Sequence, residues 1–510
     1  MIKNFLIVLF LFPVVFVAQE IEQRLDSIFA KAIKQWDIPG MSVGIVKNDT
    51  IALLKGYGIT DVTNPQKVDE NTIFAIASNT KTFTSTAIAM LVEEGKLNWD
   101  DKVADYLPYF RLYDPYVTQY MTVRDLLCHR SGLETFSGDL IWYGSNYSRE
   151  EVVKRAKYLK PKYDFRTQFG YSNIMFIAAG EIFPKVSDFT WDEFIQSRLI
   201  KPLGMTRTFL SVNDLKELEN IAMPHAYHNE ENVKIGYLNW DNIGAAGAIN
   251  SSAKDMCNWL NLQLNNGRFK GAKIVGEKEL EEIKIPHINS RIGKGSRAIW
   301  PSKHFDAYGL GLQMMDYKGY QIFMHGGGAD GMVSRTVFVP ELDFGFVILT
   351  NNGNSLPYAL MYTILDEYIG VEKKHDWVDM FLEFRESSQE RAKRLAYADE
   401  QKRVPNTQTT LPLEKYTGIY TSRMYGDVEV TINNNQLIVQ FKETPIFKGY
   451  LKHWHYNTFE IEMKKVISLP KGKCSFIIDE MGEVEEMRID IPNPDFDFTE
   501  LKLMKQKKKE

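Results

Sequence analysis

The chain has 510 residues, 44% of them hydrophobic and 25% charged, close to an average soluble globular composition and long enough for two or three domains. Its 61 Lys and Arg against 66 Asp and Glu leave a net charge of −5, so no basic excess is present to hold nucleic acid. Cys128, Cys257 and Cys474 are too few and too far apart for a disulfide framework, and they show no metal-ligand spacing.

Lys3 precedes an apolar run over residues 5–17, followed by Ala18-Gln19-Glu20. That run is shorter than the about 20 residues needed to span a bilayer. It reads as a secretory signal peptide over residues 1–18, with export to the periplasm or medium and no transmembrane anchor. The bulk of Phe16 leaves the cut open by a few residues. Residues 21–36 place Ile21, Leu25, Ile28, Phe29 and Ile33 on one helical face. Residues 41–46 and 51–58 flank Lys47-Asn48-Asp49-Thr50 as a predicted hairpin. A helix is predicted from Ser78 to Glu94, stopping at Gly95. Short helices and loops follow to about residue 260, among them residues 148–158 and 252–264. Strand patterns return at 320–324, 332–339 and 344–350, and a helical run covers 356–368.

Strands near both ends of one region, with helices between, predict an α+β fold: one antiparallel sheet closed by distant segments and flanked by a helical insertion. Residues 371–410 read as a charged helical linker after a first domain at 19–370. Residues 411–510 alternate apolar and polar positions, as at Val428, Val430 and Ile432, and predict a small all-β barrel or sandwich. Lys505 to Lys509 reads as a frayed tail.

Two familiar spellings fail on context. Gly40-Met41-Ser42-Val43-Gly44 lies inside a strand, whereas a nucleophile elbow needs a strand-to-helix turn. Gly326-Gly327-Gly328-Ala329-Asp330-Gly331 leads into another strand, so it offers no helix N-terminus to a dinucleotide. His453 and His455 share a strand face, and His225 and His228 are placed on a helical turn; neither pair has an acidic third ligand nearby. No metal or cofactor is expected.

Ser78-Asn79-Thr80-Lys81 opens a helix, and positions three apart lie one above the other. The Lys81 amine can therefore approach the Ser78 hydroxyl, a poor nucleophile without an adjacent base. Lysine serves as that base only when neutral; lowering its pKa from about 10.4 to about 7 costs about 4.6 kcal/mol, supplied by burial. Ser251-Ser252-Ala253-Lys254 has the same spelling but reads as a helix cap, with Ser252 and Asp255 as a capping box. Tyr171-Ser172-Asn173 and His325-Gly326-Gly327-Gly328 follow in order, the latter a strand edge open to a substrate.

This order resembles the penicillin-recognising serine hydrolases, which include AmpC-type β-lactamases, D,D-carboxypeptidases, D-aminopeptidases and esterases. Leu126-Leu127-Cys128-His129-Arg130-Ser131-Gly132-Leu133, Pro202-Leu203-Gly204-Met205 and Gly244-Ala245-Ala246-Gly247 resemble further family segments, and the likeness spans about residues 22–368. The terminal β region is similar to the lipocalin-like module of some secreted members. The resemblance implies Ser78 as acylated nucleophile, Lys81 as proton acceptor and Tyr171 as proton relay. It implies that Asn173 holds the substrate carbonyl, and that the backbone N–H groups of Ser78 and Gly328 form the oxyanion hole. His325-Gly326-Gly327 stands where many members carry Lys-Thr-Gly, with His325 and Gly326 in place of the lysine and hydroxyl, which implies weak carboxylate recognition. A small peptide, amide or ester is the implied substrate. A β-lactamase and a slowly acylating ligand sensor are the alternatives.

Overall fold

The computed structural model describes residues 8–300 and 302–507, with residues 8–19 described as backbone only. The first seven residues of the expected leader lie outside the described residues. Helix α1, Val8–Gln35, runs without a break into the face predicted from Ile21 onward.

An eight-stranded antiparallel sheet forms the centre. Its strands are β1 (Gly40–Lys47), β2 (Thr50–Gly58), β3 (Ile288–Asn289), β4 (Asp306–Tyr308), β5 (Gln313–Tyr317), β6 (Tyr320–Ala329), β7 (Met332–Val339) and β8 (Phe344–Thr350). Their order is β2-β1-β8-β7-β6-β5-β4-β3, so the N-terminal hairpin pairs with a strand from far along the chain, Met41 opposite Thr350. At β8 the sheet is buried on both faces, which is why that strand reads as one continuous apolar run. Phe344, Phe346 and Ile348 pack toward α1 and α5 (Leu356–Ile369), while Val347 and Leu349 join the cluster that holds the helical insertion. That insertion includes α2 (Thr80–Glu93), α3 (Asn173–Val186) and α4 (Ala253–Leu264). Phe83 of α2 stacks on Trp259 of α4 with ring centres 3.7 Å apart. Burying such rings contributes roughly 1.5–3 kcal/mol each. Ser252 caps α4 by accepting the Asp255 N–H, but the Asp255 carboxylate turns away to Arg207 and Thr208, so the box is half made.

The expected helical turn at His225 and His228 is a strand, His225–His228, paired with Glu231–Lys234. Asn229 and Glu230 between them both take positive φ, 49° and 67°, the backbone of a tight hairpin turn. His225 is buried, its Nε2 accepting the Val62 N–H at 3.2 Å.

Helix α6, Trp377–Glu400, buries only Trp377 and Val378 and connects to the C-terminal part. There, β9 (Gly418–Ser422), β10 (Gly426–Asn433), β11 (Gln436–Phe441), β12 (Lys448–His455), β13 (Thr458–Met463), β14 (Gly472–Ile478), β15 (Val484–Asp490) and β16 (Leu503–Lys505) close an antiparallel barrel in sequence order. Lys505 therefore belongs to the last strand, opposite Tyr420, and not to a frayed tail. The barrel docks on the helical insertion. The Asn146 N–H donates to the Glu443 carbonyl at 2.8 Å, and Arg155 donates to the Arg423 and Met424 carbonyls, both at 3.1 Å. Among the described residues no helix is long and apolar enough to cross a membrane.

Candidate active site

Ser78 sits in a 3-10 turn, Ala77–Asn79, that leads directly into α2. Ala77 before it is buried at φ 46°, a left-handed backbone that non-glycine residues adopt at a cost of about 1–3 kcal/mol and mostly where function demands it. One helical turn on, Lys81 is fully buried. Its Nζ lies 3.1 Å from Ser78 Oγ, 2.6 Å from Asn173 Oδ1 and 2.8 Å from the Ala246 carbonyl. Burial pushes the amine down to about 7, against the pull of Asp139. The sequence expectation of a lysine neutral near pH 7 thus has a structural cause.

Tyr171 lies just before α3 and lines the same cavity as Ser78, with its ring centre 4.8 Å from Lys81 Nζ. Burial raises the phenol well above its ordinary value, so it stays protonated. The loop 129–136 holds this segment: the Phe136 N–H donates to the Tyr171 carbonyl at 2.8 Å, and the Thr135 hydroxyl accepts the Tyr171 N–H at 3.2 Å.

Asn173, expected to hold a substrate carbonyl, lines the cavity and bridges two buried groups. Its Oδ1 faces Lys81, and its Nδ2 donates to Asp139 Oδ2 at 2.6 Å. Asp139 is buried, and desolvation drives its carboxyl up to about 7 although Asn173 and Lys81 favour the ionised form. Asp139 follows Gly138, which has φ 84°, and nothing in its local sequence marks it.

Strand β6 carries the glycine-rich segment. Its pairing with β5 ends at Met324 opposite Gln313, whereas its pairing with β7 continues to Ala329 opposite Met332. From His325 onward one edge of β6 is thus unpaired, and it runs past the Ser78 turn. Gly327 allows this approach: a Cβ there would lie 2.1 Å from the Ile76 carbonyl oxygen and 2.4 Å from Ser334 Oγ. Gly328 has open space beside it.

His325 is buried with both ring nitrogens occupied. Nδ1 lies 2.6 Å from its neighbour's carbonyl at Gly326, which makes it the protonated nitrogen, and Nε2 accepts from the Tyr308 hydroxyl at 2.9 Å. Burial, with Lys81 and Arg335 nearby, pushes it down to about 3, so it is neutral. His129, quoted above only as part of a segment, packs against the Tyr171 ring at 4.1 Å, and its Nδ1 accepts the Ser172 N–H at 3.1 Å.

Ser78, Tyr171, Asn173, His325, Gly327 and Gly328 line one cavity of about 640 Å³, with Lys81 bonded beneath Ser78. Trp142 and Tyr143 line it as well while remaining buried, and Asp495 and Phe496 of the barrel complete its wall. Asp139, Tyr308 and the barrel residues were not singled out from the sequence; each reaches the site from a segment with no motif of its own.

Profiles of known families fit this geometry. The profile named beta-lactamase matches residues 25–367, and one described as a domain of unknown function matches residues 402–505. The unguisins hydrolase of Aspergillus violaceofuscus is 27% identical over 427 residues, covering 79% of this chain and 75% of the relative. Protein flp of Staphylococcus aureus is 28% identical over 335 residues, covering 65% and 63%. Among solved structures, the octameric penicillin-binding protein homologue from Pyrococcus abyssi superimposes with TM-score 0.61 at 20% identity, covering 95% of this chain and 99% of that one. The D-stereospecific amidohydrolase from Streptomyces sp. gives TM-score 0.52 at 23% identity over 66% and 95%. With the family profile spanning well over half of its residues, the chain belongs to the beta-lactamase family and is a serine hydrolase.

Proposed function

We propose that the protein is an exported serine hydrolase that cleaves a small amide, peptide or ester through an acyl-enzyme on Ser78, acting on peptides that contain D-amino acids. The observation that carries this reading is the 3.1 Å approach of a fully buried Lys81 Nζ to Ser78 Oγ. Neutral Lys81 takes the Ser78 proton as Oγ attacks the carbonyl carbon. The carbonyl oxygen takes up the charge and is stabilised by the backbone N–H groups of Ser78 and Gly328. The C–N or C–O bond then breaks, and the leaving group receives a proton through Tyr171. Water adds to the acyl ester, its proton returns through Tyr171 and Lys81, and Ser78 is freed.

The neutral His325 and the bare Gly326 supply neither the cation nor the hydroxyl that the resemblance puts at the substrate carboxylate, and the Arg335 guanidinium beside Gly326 is buried. Penicillins and cephalosporins are accordingly proposed as poor substrates. The D-amino-acid preference draws support from the named activity of the Streptomyces amidohydrolase, which shares the fold. Export rests on residues 1–18 alone, and a secreted chain beginning at Gln19 by intact mass would support it.

The test is hydrolysis of a nitrophenyl ester, a D-alanyl anilide, an N-acyl-D-Ala-D-Ala peptide and a chromogenic cephalosporin, with intact mass read in each reaction. Turnover of the anilide or peptide that disappears in Ser78→Ala supports the reading. A persistent adduct without turnover would mark a ligand sensor, and equal turnover by Ser78→Ala would remove Ser78 from the chemistry.

A further inference from the structure

His129 takes no part in the proton path through Lys81 and Tyr171, yet it is fully buried against the Tyr171 ring, with centres 4.1 Å apart. It stands just after the short helix Val123–Leu127 and adopts φ 59°, a left-handed backbone that a non-glycine residue keeps only where its surroundings impose it. From that turn its main chain and its ring both meet the segment that carries Tyr171.

Residues 170–172 precede α3, so their N–H groups have no partners within the helix. The loop 129–136 takes all three. The His129 carbonyl accepts the Gly170 N–H at 2.9 Å, the Thr135 hydroxyl accepts that of Tyr171 at 3.2 Å, and His129 Nδ1 accepts that of Ser172 at 3.1 Å. His129 is thus bonded on both sides of Tyr171. Gly170 allows the close approach, since a Cβ there would lie 1.8 Å from the Leu133 carbonyl oxygen. Ser172 is the N-cap of α3, and a capping box would return a carboxylate to its N–H from three residues on. Met175 stands there and has none, so the imidazole supplies that acceptor from another part of the chain.

An imidazole that accepts at Nδ1 carries its proton on Nε2. Burial beside Lys81 and His325 pushes His129 well below its ordinary value, so the acceptor is not lost to protonation. Nε2 has no hydrogen-bond partner among the described residues, which leaves Nδ1 as the one polar attachment of the ring. Phe176 and Tyr308 enclose it further, with ring centres 5.3 and 4.6 Å away.

We infer that His129 is a positioning residue for Tyr171: its ring face and its two bonds to the flanking backbone hold the phenol in the Ser78 cavity, over Lys81, for proton transfer to the leaving group. The inference rests on the proposed transfer through Tyr171 and adds the group that aims it. His129 acts through Tyr171 and passes no proton itself.

The test uses the full chain and two substrates with the same D-alanyl group, a nitrophenyl ester with a good leaving group and an anilide with a poor one. Proton delivery matters most for the poor leaving group. Tyr171→Phe and His129→Leu are each expected to lower kcat/KM by about 100-fold on the anilide and by less than about tenfold on the ester, with the loss in kcat rather than KM. His129→Asn tolerates the left-handed backbone and places Oδ1 where Nδ1 stood, so it is expected to recover most of the anilide activity. His129→Gly, at ease with positive φ, replaces His129→Leu if that variant fails to fold, with the same pattern expected. A role in stability alone would lower both activities alike. That result at position 129, beside a selective loss in Tyr171→Phe, overturns the inference and leaves the proposed function standing. Equal losses on both substrates in Tyr171→Phe would remove the proton relay, and the inference with it.

Discussion

Glu500 of the barrel accepts the Gly138 N–H at 2.8 Å, one residue before Asp139 in the α+β part. The same carboxylate accepts the Ser137 hydroxyl at 2.6 Å and the Tyr425 hydroxyl at 2.8 Å. Asp139 in turn receives Asn173 Nδ2, and Asn173 Oδ1 faces Lys81. Hydrogen bonds on either side of the Gly138–Asp139 peptide link therefore connect the barrel to the buried amine.

Cutting that connection at Glu500 should be felt at Ser78. Glu500→Ala leaves the Gly138 N–H and Ser137 hydroxyl unpaired at a part-buried interface, a loss of about 1–3 kcal/mol. A kcat/KM about tenfold lower and a reduced melting temperature are expected, with a smaller effect for Tyr425→Phe. Wild-type kcat/KM in Glu500→Ala would mean that the turn before Asp139 holds itself.

The rate should depend on pH through Lys81. With its pKa lowered to about 7, the amine is protonated and unable to accept a proton below that pH, and neutral above it. The kcat/KM for a neutral ester is expected to rise through about pH 7 to a plateau. Asp139 stabilises the ammonium form, so Asp139→Asn should move the rise to lower pH by about one unit. A profile that stays in place, or moves upward, would show that the titration belongs to another group.

Gly327 and Gly328 are neighbours with opposite tolerance. An alanine at 327 would drive its Cβ against the Ile76 carbonyl, displacing β6 from the Ser78 turn. Gly327→Ala is expected to lower kcat at least 100-fold, since the oxyanion position depends on that separation. Gly328→Ala meets open space and should leave the melting temperature unchanged within about 1 °C, a shift well below that of a lost core contact. Circular dichroism melts and ester kinetics on the two variants check both statements.

Tyr308→Phe removes the donor to His325 Nε2 in a site where both groups are buried. Leaving that acceptor unpaired costs about 1–3 kcal/mol. Urea unfolding should give a lower midpoint for this variant, and an unchanged midpoint would mean that water enters to replace the hydroxyl.

The sequence placed Ser78 and Lys81 together because three-residue spacing on a helix is a local rule, and the fold obeys it. The α+β arrangement was legible for a similar reason, since strand and helix periods are written in short windows. Trp142 and Tyr143 are buried and line the cavity at once, a double placement that local sequence does not decide. Asn173 was identified but its partners were not, because a side-chain amide takes its hydrogen bonds from residues whose proximity only packing decides.

The chain's α+β order in outline, its serine-lysine pair, its glycine-rich strand and its terminal all-β region were determined by the sequence itself, through periodicity, turn residues and spacing. The tertiary structure alone decided that Asp139, Tyr308, Asp495 and Glu500 meet at or beside one cavity. These residues come from segments brought together by burial of apolar surface, which is non-directional and leaves no local signature of which side chains it will make neighbours. The unpaired edge of β6 has the same origin, for it exists only because β5 stops opposite Met324.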